Sequence, residues 1–228
     1  MAQVAVQQTV VDCDGKSTRE INRLIKEAEG DVLVRNPGGR HCLGVAILKS
    51  LRVVFDGPVG WYCATMTDGA DVEVRGNCGW SVGQNAVSGR IHVRGHAGSS
   101  AGATIRGGTV RIDGNAGARA GISMKGGTLI VGGSVGYMSG FMMQAGRMVV
   151  CGDAADGIGD SMYEGEIIVG GDVASLGSDC VEAELTPEQG EWLSGQGLEP
   201  RREWRRLVAG RRLWNFSKKE FEVWKVAL

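Results

Sequence analysis

Short triplets with apolar outer members recur along the middle of the chain at a fixed interval. Val72-Glu73-Val74, Ile91-His92-Val93, Val110-Arg111-Ile112, Leu129-Ile130-Val131, Met148-Val149-Val150 and Ile167-Ile168-Val169 follow one another every 19 residues. The outer members are always apolar and most are β-branched, the pattern of a strand with one face buried. A second apolar column, Ile105, Met124, Met143 and Met162, keeps the same interval. The chain therefore predicts one short-stranded unit stacked on copies of itself.

Glycines mark the unit's corners. Gly57, Gly76, Gly95, Gly114, Gly133, Gly152 and Gly171 are 19 residues apart, and each of the central units carries the skeleton G-x-x-G-x-x-x-G. The predicted structural glycines are Gly76, Gly79 and Gly83, then Gly95, Gly98 and Gly102, then Gly114, Gly117 and Gly121, and last Gly133, Gly136 and Gly140. In such columns a Cβ would clash with the neighbouring coil or occupy a disallowed backbone region. A phosphate-cradling loop would occur once, before a helix and with a lysine, so the repeated glycines are architectural. The predicted fold is all-β: a right-handed parallel β-helix of about seven coils, stacked at the strand spacing of about 4.8 Å. Beside the first glycine column runs a polar one, Asn77, His96, Asn115, Ser134, Asp153 and Asp172, able to hydrogen-bond up the stack. Asp153 above Asp172 would need solvent or a cation between like charges.

The ends of the array differ. Residues 1–37 are expected as an N-terminal cap, with a helix over about 17–29 that opens on the capping box Ser17-Thr18-Arg19-Glu20 and buries Ile21, Leu24, Ile25 and Ala28. The β-helix is placed at 38–181, its first coil degenerate, and a charged, Trp-rich tail at 182–228 with a helix after Thr186-Pro187 and a second after Pro200. Arg201, Arg202, Arg205, Arg206, Arg211 and Arg212 cluster in that tail beside Trp204 and Trp214. The outward middle position of the strand changes from Glu73, His92 and Arg111 to Ile130, Val149 and Ile168, and Ile122 and Phe141 add apolar surface to the later coils. A stripe this apolar is covered, by the chain's own tail or by another subunit. Ile130, Val149, Ile168, Ile122, Phe141, Arg205 and Arg206 are accordingly the interface candidates, and the column Trp61, Trp80 and Tyr137 is a second contact candidate.

Composition narrows the function. The 38 glycines come with only 4 prolines, which excludes collagen, and a net charge of −1 gives no general attraction to nucleic acid or membranes. The start of the chain has neither the basic nor the apolar segment of a signal peptide and no apolar run is long enough to span a bilayer, so a cytoplasmic location is expected. The six cysteines fall at different positions of the repeat with no C-x-x-C pair, against a zinc or iron–sulfur site in this chain. No strand–glycine-loop–helix unit is present for a flavin phosphate. An enzyme working in a groove of the solenoid would need a carboxylate column, for which only Asp153, Asp156, Asp160 and Asp172 come near. No catalytic, cofactor-binding or metal-binding residue is assigned.

The G-x-x-G-x-x-x-G coils over roughly 40–180 resemble the C-terminal β-helix domain of the glutamate synthase large subunit, and the β-helix subunit of formylmethanofuran dehydrogenase. The stretches GISMKG (Gly121–Gly126), GYMSGFMMQAG (Gly136–Gly146), GDSMYEG (Gly159–Gly165) and VASLGSDC (Val173–Cys180) are most similar to the stand-alone β-helix subunit of glutamate-synthase-type complexes, and within these to that of N-methylglutamate synthase. The resemblance implies a non-catalytic scaffold in an oxidoreductase complex of amino-acid metabolism. It would join an amidotransferase-like subunit to a synthase subunit that carries FMN and an iron–sulfur cluster. The other resemblance implies a scaffold in a formylmethanofuran dehydrogenase or formyltransferase/hydrolase complex.

Overall fold

The computed structural model describes residues 8–210. Its strands are β1 (Thr9–Asp12), β2 (Val32–Arg35), β3 (Arg52–Asp56), β4 (Asp71–Val74), β5 (Arg90–Val93), β6 (Thr109–Ile112), β7 (Lys125–Val131), β8 (Ala145–Val150), β9 (Glu166–Val169), β10 (Cys180–Ala183) and β11 (Arg205–Ala209). The helices are α1 (Thr18–Glu27) and α2 (Pro187–Gly195). All strands form one sheet in the order β1-β2-β3-β4-β5-β6-β7-β8-β9-β11-β10. From β1 to β9 every neighbour is parallel, and from β3 to β9 the main register advances by the 19-residue period, as in Val72↔Ile91 and Ile91↔Val110. This is a parallel β-helix with eight stacked rungs, β2 to β9, preceded by β1. The segment expected only as an N-terminal cap thus also supplies two parallel strands.

Each coil closes through two further segments. One makes single-residue parallel bridges along Val59, Cys78, Ala97, Ala116, Val135, Ala154 and Val173. The other is a turn in which three alternate residues take positive φ. Ser100, Gly102 and Thr104 show the pattern at 61°, 65° and 55°. Their N–H groups run along the solenoid axis in alternating directions: Ser100 donates to Ala118 and Thr104 to Ile122 of the next coil, while Gly102 donates to Val82 of the preceding one. Inter-coil hydrogen bonds therefore satisfy the backbone where a β ladder is absent.

Two kinds of glycine emerge. A Cβ on Gly117 would stand 2.7 Å from the backbone nitrogen of Ser99 in the preceding coil, so close stacking excludes it. Gly121 has φ +68°, and its Cβ would point into the core, 3.0 Å from Met124 Sδ and 3.1 Å from Met148 Sδ. The inward triplet members and the column Ile105, Met124, Met143 and Met162 are all buried in one continuous core.

Segments of the chain itself pack on both ends of the solenoid. Ser17 and Glu20 form the capping box of α1, and Ile21 and Ile25 are buried against the core. The Asn22 amide fixes the helix to the first coil from both sides, donating to Cys42 O and accepting from Gly44 N, each at 2.7 Å. At the other end the residues after Pro200 form the strand β11 in place of the expected second helix, because they pair antiparallel with β9, and β10 pairs with β11.

Candidate partner-binding surfaces

The apolar stripe is occupied. Ile130, Val149 and Ile168 form a second buried cluster with Cys151, Leu193 and Leu198, with Leu185, Trp192 and Trp204 packed against it. Of the two occupants that the sequence leaves open, the chain's own C-terminal segment is the one seated here, which removes these three residues from the partner contacts. Ile122 and Phe141 lie apart from that cluster, half-buried on the turn segments rather than on the strand face. Arg205 and Arg206 are engaged within the chain as well. They belong to β11, where Arg205 pairs with Glu182 and Arg206 Nε lies 2.8 Å from Glu166 Oε2. Tail residues without a repeat give no sign of the strand they join, so their docking was hidden in the sequence.

The neighbouring arginines answer the acidic column. Arg201 pairs with Asp153, and Arg202 lies 2.9 Å from Asp172, so the two stacked carboxylates each have a cation. Arg211, Arg212 and Trp214 lie outside the described residues. From Asn77 to Asp153 the polar column is a hydrogen-bonded ladder in which each side chain accepts from the backbone N–H one coil on. His96 N donates to Asn77 Oδ1 at 2.8 Å, Asn115 N to His96 Nδ1 at 2.9 Å, and Ser134 N to Asn115 Oδ1 at 2.9 Å. Because His96 Nδ1 accepts, its proton sits on Nε2. Asp156 and Asp160 also serve structure, accepting from Ser175 Oγ and Ser178 N.

The buried thiols are shifted away from ionisation. Burial raises the Cys151 thiol and pushes Cys180 up to about 11. Cys63 is raised well above the ordinary range by its hydrogen bond with Cys78 and then by burial. Among the described residues no group of three or more His, Cys, Asp or Glu side chains is placed to hold a metal ion. On the outward face of β5 and β6, His92 Nε2 is 2.8 Å from Asp113 Oδ1 and Arg111 Nε is 3.2 Å from the same atom. Burial acts to raise the Asp113 pKa, but the hydrogen bonds and charges of His92 and Arg111 outweigh it and hold the carboxyl below its ordinary value.

Exposed apolar surface gathers at the other end. Trp61, Trp80 and Tyr137, the second contact column, are 44%, 55% and 54% exposed. His41 stacks on Trp61 with centroids 4.5 Å apart, and Trp61 on Trp80 at 5.2 Å. Beside this stack a groove of about 830 Å³ runs between α1 and the turn segments of the first coils. Arg19, Arg23 and Lys26 line one wall, and Val45, Tyr62 and Met66 contribute its apolar part. Those three cations were missed in the sequence, although their i, i+4, i+7 spacing places them on one helical face.

Fold and surfaces together define a parallel β-helix with an apolar stripe covered by its own C-terminal segment and an exposed aromatic corner. No known family profile matches the chain. Over 73 residues it is 43% identical to a curated protein, Protein GlxC of Rhizobium meliloti (strain 1021), a match covering 30% of this chain and 32% of that one. The match thus spans about a third of the length of that relative. No helix among the described residues is long and apolar enough to cross a membrane.

Proposed function

We propose that this chain is the β-helix scaffold subunit of a glutamate-synthase-type complex. It holds an amidotransferase-like subunit against a synthase subunit carrying FMN and an iron–sulfur cluster, and the product is glutamate or N-methylglutamate. The coil motif and the partial similarity to Protein GlxC support the family. The observation that carries the scaffold role is the uneven distribution of exposed large apolar side chains. Of nine such residues among those described, six (Leu48, Trp61, Tyr62, Met66, Trp80 and Val87) lie within the first three coils. The later coils bury their apolar stripe beneath the chain's own tail, whereas this end keeps its apolar groups available. An exposed cluster of this kind on a rigid solenoid is a place for another protein.

Expression of the chain with the products of its neighbouring genes tests the proposal. The expected result is co-elution with a yellow, flavin-containing subunit and an amidotransferase-like one. Elution alone, or with a molybdopterin or amidohydrolase-like subunit, would overturn it.

A further inference from the structure

We propose that the groove between α1 and the early turn segments binds an acidic peptide segment of a partner chain, anchored by an aromatic or leucine side chain. The site is built from both sides. Arg19, Arg23 and Lys26 project from α1, and only Arg23 is neutralised, by Glu27 at 2.7 Å. Among the described residues Arg19 and Lys26 make no ion pair. Opposite them Tyr62 and Met66, 45% and 47% exposed, give the groove a floor of large apolar groups left in water. Gln84 and Asn85 at the far end offer side-chain amides for a peptide backbone.

The groove is also rigid. The Asn22 amide and the buried Ile21 and Ile25 lock α1 to the first coil, and Lys49 Nζ holds its C-terminal end through Ala28 O at 2.7 Å. Tyr62 and Met66 are fixed through their own backbone, since their N–H groups donate to Trp80 O and Gln84 O of the next coil, each at 2.8 Å. Little ordering is therefore required when a segment lies down in it.

Charge identifies the occupant. Two unpaired cations above an apolar floor match carboxylates spaced around a hydrophobic anchor. Residues 1–7, which precede the described part, contain no Asp or Glu and cannot supply them. Residues 211–228 hold Glu220 and Glu222 against five Lys and Arg, the wrong sign for this wall. A segment of a different chain answers both requirements, whichever complex the scaffold serves, so the proposal stands apart from the glutamate-synthase assignment.

The full chain is titrated with three fluorescein-labelled peptides, each about ten residues or roughly 33 Å when extended. One alternates Glu with Trp and Leu, one replaces each Glu by Lys, and one replaces each Trp and Leu by Ser. Only the first should give a saturable rise in anisotropy, weakened by added salt. The double variant Arg19→Glu/Lys26→Glu should weaken it about tenfold or more, and Met66→Asp should abolish it. All three side chains are exposed, and unchanged melting of both variants checks that the fold persists. Equal binding of all three peptides, binding of none, or indifference to the charge reversal overturns the proposal. So does a self-associated chain that Met66→Asp turns into a monomer, because the floor then belongs to a second copy.

Discussion

Arg206 reaches back 40 residues to place its Nε 2.8 Å from Glu166 Oε2, while the other oxygen of that carboxylate lies 2.6 Å from Arg147 Nε. One half-buried acid thus ties the capping strand β11 to β9 and, through Arg147, whose guanidinium lies 4.3 Å from the Trp192 ring centre, to α2. Gln189 of α2 donates to the same carboxylate. The covering segment is fastened by charge at its margin and by apolar contact at its centre.

Glu166→Ala leaves two arginines without their shared partner. Both retain some access to solvent, so the loss should be about 2 kcal/mol, below that for a fully buried pair. The variant should melt lower, and limited proteolysis should cut between α2 and β11 before the coils. Equal cleavage rates in variant and parent would show that the apolar contacts alone hold the tail.

Ile130→Asp with Val149→Asp places two carboxylates beneath Leu193 and Leu198; Arg111 lies opposite position 130, but position 149 is flanked by 130 and Ile168. Uncompensated burial at this level costs several kcal/mol, and release of the tail relieves it. Protease-sensitive residues 184–204 around a β-rich, cooperatively folded remainder are the expected outcome, read by mass spectrometry and circular dichroism. A variant melting like the parent would remove the stripe from the core.

The sequence carried the periodic part of this fold and little of its aperiodic part. A column shows itself only when a residue meets its equivalent in the next coil, which is why Val72 through Val169, the glycines and the Asn77 ladder could be placed one by one. Arg206 and Ile168 have no such relation: they meet because β11 turns back across the sheet, and nothing in RRLVA encodes its target. The positive φ of Ser100, Thr104 and Arg119 was equally hidden, because inter-coil hydrogen bonds impose it on residues that do not favour it. The groove lay between, its helical face visible in the spacing of Arg19, Arg23 and Lys26 but its facing wall dependent on how α1 docks.

The thiols should separate cleanly. Cys42 is exposed, whereas Cys13, Cys63, Cys78, Cys151 and Cys180 are buried, and burial raises the pKa of Cys180 to about 11. Since the thiolate is the reactive form, native protein at mildly alkaline pH should react with a thiol reagent once, and denatured protein six times. A second fast thiol in the native state would contradict the packing.

Asp113 gives the stability a defined response to acid. Its pKa is depressed in the folded chain, so its contribution is present above the unfolded value of 3.8 and fades as pH falls through the lower folded value. Asp113→Asn should be less stable than the parent at neutral pH, and the gap should close as pH drops below 3.8. Urea midpoints of both proteins along that range provide the measurement; a gap that widens on acidification would reverse the assignment.

The two kinds of glycine predict an order of damage that the repeat alone does not give. At Gly121 an added methyl group meets the flexible ends of Met124 and Met148, so packing can adjust, and the main cost is the left-handed backbone at about 1–2 kcal/mol. At Gly117 the methyl group meets the backbone of Ser99 and Gly98 in the coil behind, at 2.7 and 2.9 Å, and neither can move without breaking the inter-coil bonds from Gly117 N to Ala97 O and Gly98 O. Gly117→Ala should therefore destabilise more than Gly121→Ala, although alanine at 117 needs no unusual φ. Urea denaturation of the two variants beside the parent decides it. If Gly121→Ala is the worse, backbone conformation rather than coil spacing sets the glycine requirement.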